Sequence, residues 1–159
     1  MPKYVALLRG ISPLNPNMRN EKFRQVFQEL GFRNVRTVIT SGNVLFESKS
    51  KNKKNLETKI EKAILKQLGF FSTTIIRSDR QLKALVRKKP FSDQPDTPQT
   101  QQHITFLKRG GDIFTIIDIT DPKAGRVLAQ IERDYGKEVT TRTWRTVNRI
   151  MKQLDKQAS

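Results

Sequence analysis

The stretch VRTVITSGNVLFE, residues 35–47, decides how the chain folds. Val35–Thr40 and Val44–Glu47 are rich in β-branched and aromatic side chains, and the link SGN between them contains a glycine. Two such runs joined by a short link with glycine predict a β-hairpin. Strand and helix patterns flank the hairpin on both sides, so we expect it to belong to a larger sheet.

The flanking segments complete an order of strand, helix, strand, strand, helix and strand. Lys3–Arg9 and Thr73–Arg77 are strand candidates, and apolar residues at helical spacing predict helices around residues 23–30 and 56–68. This is the split βαβ order. The sequence therefore predicts an α+β protein whose first subdomain is a ferredoxin-like βαββαβ unit.

The same patterns divide the chain into three parts. Residues 1–90 are predicted to form the ferredoxin-like subdomain together with a short helix that follows its last strand. Residues 91–101, FSDQPDTPQTQ, are polar and contain two prolines, which is typical of a linker loop. Residues 102–159 predict a second, smaller α/β subdomain that ends in a helix and packs on the first.

Composition excludes several classes of protein. The chain has 159 residues, of which 35% are hydrophobic and none is cysteine, so disulfides, thiolate zinc sites and thiol catalysis are excluded. No apolar run approaches the ~18 residues of a membrane span, and no signal-peptide pattern opens the chain. We expect a cytoplasmic protein with no membrane partner, no metal and no cofactor.

Charge is the most unusual property of the sequence. The net charge is +16, and the first 101 residues contribute 20 basic against 8 acidic side chains. Four lysines lie close together in one predicted loop: Lys49, Lys51, Lys53 and Lys54. Such a cluster predicts sequence-independent binding to nucleic-acid phosphates. Two alternatives remain open, namely a solvated loop without a ligand and a host whose proteins are generally basic.

Three segments carry a resemblance to a known family: YVALLRGI (residues 4–11), FRNVRTVITSGNVLFES (32–48) and TTRTWRTVNRIMKQL (140–154). Together they resemble the bacterial domain-of-unknown-function family 1697, over most of residues 3–154. The resemblance implies two α/β subdomains, the first of them ferredoxin-like, and no established activity. The matching positions are Arg9, Gly10, Ser41, Gly42, Asn43, Phe46, Thr141, Arg142, Trp144, Thr146 and Val147.

A second candidate site lies at one edge of the predicted sheet. In a ferredoxin-like sheet the end of the first strand and the hairpin share an edge, which brings Arg9-Gly10 near Ser41, Gly42 and Asn43. Guanidinium, hydroxyl, amide and backbone N–H groups together predict an anion cradle. The alternative is structural: the glycine and asparagine supply turn geometry, and Arg9 tethers the loops.

Three further side chains are candidates for ligand binding or catalysis. Arg142, placed at the start of the last helix, could bind the same anion or a nucleic-acid phosphate. Trp144 opens the apolar stripe of that helix and is interpreted as a packing anchor. His103 is the only histidine and lies in an apolar strand, so a structural role is favoured and no metal cluster can be built. No nucleophile elbow, Walker A loop or dinucleotide fingerprint is present.

Three functions compete. The favoured one is a non-enzymatic, sequence-nonspecific binder of RNA or DNA phosphates. The second is an enzyme or binding protein for a small anionic or phosphorylated ligand at the edge formed by Arg9, Ser41 and Asn43. The third is a protein-interaction module that uses the 91–101 loop or the last helix. An open RNA-stacking sheet is disfavoured, because both faces of the first strand are apolar.

Overall fold

The computed structural model describes residues 1–40, 42–94, 97–109 and 111–156. The elements of the first half are β1 (Lys3–Leu8), a short 3-10 helix (Pro16–Met18), α1 (Asn20–Glu29), β2 (Arg33–Thr37), β3 (Asn43–Glu47), α2 (Lys53–Leu68) and β4 (Thr74–Ser78). The four strands form one antiparallel sheet in the order β2-β3-β1-β4. The hairpin and the βαββαβ order of elements are confirmed.

A second antiparallel sheet, in the order β6-β5-β7, follows in the chain. The remaining elements are α3 (Asp79–Arg87), β5 (Thr100–Leu107), β6 (Asp112–Asp118), α4 (Gly125–Tyr135), β7 (Val139–Thr143) and α5 (Trp144–Asp155). The protein is thus a mixed α/β fold, as predicted. β5 begins inside the segment predicted as a linker, because its ladder with β6 extends to the pair Thr100 and Asp118. The division at residues 90 and 101 stays a prediction.

Both faces of the first sheet are covered. Tyr4, Ala6 and Leu8 belong to an apolar core that includes side chains of α1 and α2. Val5 and Leu7 belong to a second core that includes side chains of α3, β5 and α5. This arrangement follows from the alternation of side chains along Tyr4–Leu8, where every side chain is aromatic or aliphatic. It leaves no open face on which bases could stack.

The helices end and begin where the sequence contains cap residues. α2 ends at Gly69, whose φ of 81° is accessible to glycine at little cost. α3 begins with a capping box, in which Ser78 and Gln81 bond to each other's backbone N–H groups. Within the described residues, no helix combines the length and the apolar character that a membrane crossing requires.

Candidate functional site

The end of β1 and the β2–β3 link meet at one edge of the first sheet. The Leu8 backbone N–H donates to the Gly42 carbonyl oxygen at 2.9 Å. Gly42 has a φ of 81°, and a Cβ added there would lie 2.6 Å from a side-chain carbon of Ile11. Glycine is therefore required for this close approach. Ser41, the remaining residue predicted for this edge, lies outside the described residues.

Arg142 reaches this edge from the second sheet. It lies in β7, and α5 begins two residues later, so the predicted position at the start of the helix is wrong. The side chain is buried. Its five N–H groups donate to five oxygens: Asn43 Oδ1 (2.7 Å), Thr140 Oγ1 (2.6 Å), Thr141 O (3.0 Å), Leu8 O (2.9 Å) and Gly42 O (3.3 Å). We call this arrangement the Arg142 clamp.

Among the described residues, no carboxylate pairs with the buried Arg142 guanidinium. Burial lowers the pKa of Arg142 to about 10, below the ordinary value of a guanidinium, so the group is still protonated at neutral pH. Its charge is stabilised by neutral oxygen dipoles in place of water. Because all five guanidinium donors are occupied, Arg142 connects β7 to the first sheet and offers no donor to the predicted anion.

Arg9 is also engaged by the protein. One terminal nitrogen of its guanidinium donates to the Val139 carbonyl oxygen at 2.9 Å, and the other pairs with a Glu132 carboxylate oxygen at 2.6 Å. Arg9 and Gly10 line a groove of about 660 Å³ between the end of β1, α4 and β7. Glu132 would compete with an anion in this groove for the Arg9 guanidinium. These contacts match the structural alternative, in which Arg9 tethers the loops.

The four lysines of the predicted loop lie partly before α2 and partly in its first turn. Lys49 and Lys51 are exposed and precede α2, as predicted for a loop. Lys53 and Lys54, predicted to lie in the same loop, instead form the first turn of α2. The helix begins earlier because the Asn52 side chain accepts a hydrogen bond from the Asn55 backbone N–H and caps it.

The acidic side chains of α2 point away from solvent. Glu57 accepts from the Ile76 backbone N–H at 3.0 Å, and Glu61 accepts from the Thr74 backbone N–H at 2.9 Å. Both carboxylates thus satisfy backbone donors of the edge strand β4. Lys108 completes the contact with an ion pair to Glu61 at 2.6 Å. Burial is the main reason why the pKa of Glu57 is raised above its ordinary value.

The exposed charge of α2 and its lead-in is consequently all positive. Seven lysines lie between residues 49 and 66 without an exposed carboxylate among them. None of their ammonium groups has a hydrogen bond or ion pair within the described part of the chain. We call them the lysine strip: Lys49, Lys51, Lys53, Lys54, Lys59, Lys62 and Lys66.

Three members of the lysine strip were not identified from the sequence. Lys59, Lys62 and Lys66 follow each other at helical spacing on the exposed side of α2. Lys49 before the helix and Lys59 on the helix line the same depression, together with Arg33 and Glu47. The available signal was the position of Glu57 and Glu61 next to the apolar stripe, which predicts that both face the protein.

The other candidates have structural surroundings. His103 is buried in β5, and burial lowers its pKa. No group of potential metal ligands occurs among the residues that the structure describes. Trp144 is half-buried, and its ring packs edge-on against Phe91 with a centroid distance of 5.4 Å.

The interaction-module alternative has two parts. The apolar stripe of α5 is buried inside the protein and consists of Val147, Ile150, Met151 and Leu154. These side chains are therefore not available to a partner protein. In the 91–101 loop, Pro95 and Asp96 lie outside the described residues.

Comparisons with known proteins place the fold and the family. The solved structure of a conserved bacterial protein from Streptococcus pneumoniae is similar, with a TM-score of 0.76 and 19% sequence identity. The similarity covers 98% of this chain and 99% of that chain, and at this identity it shows the fold alone. No curated protein matches the chain. The family model described as protein of unknown function DUF1697 matches residues 1–126, and the chain therefore belongs to this family.

Proposed function

We propose that the protein binds RNA or DNA phosphates through the lysine strip, without sequence specificity and without catalysing a reaction. One observation carries the proposal: the seven ammonium groups of the strip have no partner among the described residues, while Glu57 and Glu61 of the same helix are buried. Binding of a polyanion to such a surface releases condensed counterions, which supplies a favourable free energy that falls with salt.

The residue types of the strip support nonspecific binding. Lysine is a compact point charge on a flexible stem and does not impose the planar, bidentate geometry that arginine uses to read guanine. Residues 49–66 contain no aromatic side chain and no arginine, so nothing in the strip provides base stacking or that bidentate contact. The predicted cytoplasmic location, where RNA and DNA are both available, is part of this proposal.

A direct test measures the affinity for a fluorescent single-stranded RNA and for a DNA duplex of unrelated sequence at one low salt concentration. The strip variant replaces Lys49, Lys51, Lys59 and Lys62 by glutamine. The matched control replaces Arg80, Lys83, Arg149 and Lys152 by glutamine, which removes the same charge from α3 and α5 on the opposite face of the first sheet.

The strip variant should bind both nucleic acids much more weakly than the control does. Each lost phosphate contact removes one counterion-release contribution, whereas the control loses only long-range attraction. If both variants lose the same affinity, binding depends on the net charge of the protein and the lysine strip is not a defined binding site. Absence of binding by the wild type at low salt would overturn the proposal.

A further inference from the structure

A cleft of about 440 Å³ lies at the N-terminal end of the lysine strip. Its walls come from α2, β4, α3 and the end of β5, so both halves of the chain contribute. Four lysines line it from different elements: Lys53 and Lys54 of α2, Lys88 after α3, and Lys108 after β5. Leu82 and Leu85 also line it, but both are buried in the core, so the accessible surface of the cleft is mainly that of its charged side chains.

Positive charge in the cleft exceeds what its acidic groups neutralise. Asp112 accepts from Arg77 at 3.1 Å, and Glu57 is occupied by a backbone N–H of β4. The ammonium groups of Lys53, Lys54 and Lys88 have no hydrogen bond or ion pair within the ranges that the structure describes. Lys108 uses one of its three N–H donors for Glu61.

We propose that this cleft binds a terminal phosphate monoester through the ammonium groups of Lys53, Lys54, Lys88 and Lys108. A monoester is close to a dianion at neutral pH and offers three terminal oxygens, so it can accept from ammonium groups on several walls at once. A phosphodiester offers only two such oxygens and continues in both directions, which suits the open strip better than a cleft.

Two sources present this group. One is a free mononucleotide, and the other is the phosphorylated end of a strand that lies along the lysine strip. The second source rests on the proposed function and is favoured by Lys53 and Lys54, which belong to both the strip and the cleft. A nucleic-acid strand bound along the lysine strip could place its phosphorylated end in the cleft.

The experiment compares an oligonucleotide that carries a 5′-phosphate with the same oligonucleotide ending in a hydroxyl, and separately titrates a nucleoside monophosphate. Lys88→Gln tests the cleft, since Lys88 lies outside the strip. Lys66→Gln is the matched control, because it removes one charge from the strip and lies outside the cleft. Thermal melting checks that both variants fold.

The wild type should bind the phosphorylated oligonucleotide roughly tenfold more tightly than the hydroxyl form, as expected for added charge-assisted hydrogen bonds. Lys88→Gln should bring this ratio close to one. Lys66→Gln should weaken both affinities and leave the ratio as in the wild type. If only the mononucleotide binds, and binding is lost in Lys88→Gln, the cleft stands and the proposed function fails.

Two results would overturn the cleft. The first is a wild-type ratio near one without saturable binding of the mononucleotide, in which case salt-dependent binding to the strip could still hold. The second is a terminal-phosphate preference that Lys88→Gln leaves unchanged, which would place the group elsewhere.

Discussion

The Arg142 clamp and the lysine strip hold positive charge in opposite ways. Arg142 is buried, and each of its five N–H groups has an oxygen acceptor supplied by the protein. The strip lysines have no partner among the described residues, and six of the seven are exposed. A cation whose donors are all occupied stabilises the fold, whereas cations whose donors face only water are available to a ligand.

The cost of desolvation explains why the buried Arg142 has acceptors supplied by the protein, whereas the exposed lysines can be left without them. A buried guanidinium without acceptors would be costly, so the chain folds carbonyl and hydroxyl oxygens around Arg142. The strip lysines keep their hydration and cost little to leave unpaired, except for their mutual repulsion. The comparison predicts that substitutions in the clamp change stability, while substitutions in the strip change binding.

The largest effect on stability is expected for Arg142→Ala. The substitution removes all five hydrogen bonds of the buried guanidinium, including those to the Leu8 carbonyl oxygen and the Asn43 side-chain oxygen, and we expect a loss of about 3–5 kcal/mol in the free energy of unfolding. Arg142→Lys keeps the charge without the planar fork and should recover only part of this loss. Urea denaturation measures both. A loss below about 1 kcal/mol in Arg142→Ala would show that the clamp contributes little.

Gly42→Ala should have the next largest effect. The added Cβ would lie 3.0 Å from the Leu8 carbonyl oxygen, and the φ of 81° disfavours any side chain. We expect a loss of about 2–3 kcal/mol, because both backbone strain and a steric clash contribute. Gly111→Ala is the control, since nothing lies within 4 Å of a Cβ at that position. Similar melting temperatures for the two variants would contradict the close approach.

Glu57→Gln should change how the free energy of unfolding depends on pH, because Glu57 is a buried carboxyl group of α2. The raised pKa of Glu57 means that its charged form is disfavoured in the folded state. Its contribution to stability is full below the ordinary pKa of 4.5 and is lost as the pH rises through the raised value. Glutamine can still accept from the Ile76 N–H. The variant should therefore gain stability relative to the wild type from acidic to neutral pH. A difference independent of pH would refute this account.

The smallest effect on stability is expected for the strip variant with glutamine at Lys49, Lys51, Lys59 and Lys62. These side chains are exposed and unpaired within the described residues, so the free energy of unfolding should change by less than about 1 kcal/mol. Any change should be a gain, since like charges repel one another. A clear loss of stability would mean that the strip has a structural role.

Local patterns in the sequence were sufficient for most of the fold. The hairpin around Gly42, the helix end at Gly69 and the capping box of Ser78 and Gln81 are each determined by residues close together in the chain. The burial of β1 on both faces follows from its unbroken apolar run. These features depend on backbone geometry and side-chain periodicity, which are readable locally.

The candidate site was less predictable, because it depends on contacts between distant residues. Arg142 and Asn43 are 99 positions apart, and their hydrogen bond becomes visible only when the two sheets pack together. This bond occupies side chains that the sequence predicts as anion ligands. The lysine run predicts a loop at Lys53 and Lys54, whereas the Asn52 cap begins α2 at Lys53. The family match ends at residue 126 and so does not include Arg142.

The most direct test of the lysine strip is the salt dependence of nucleic-acid binding. The slope of the logarithm of the binding constant against the logarithm of salt concentration counts the phosphates neutralised, at roughly 0.7–0.9 per contact. We predict a steep slope for the wild type, a slope lower by roughly two to four for the strip variant, and a slope close to the wild-type value for the control on α3 and α5. Equal slopes for the wild type and the strip variant would contradict the account.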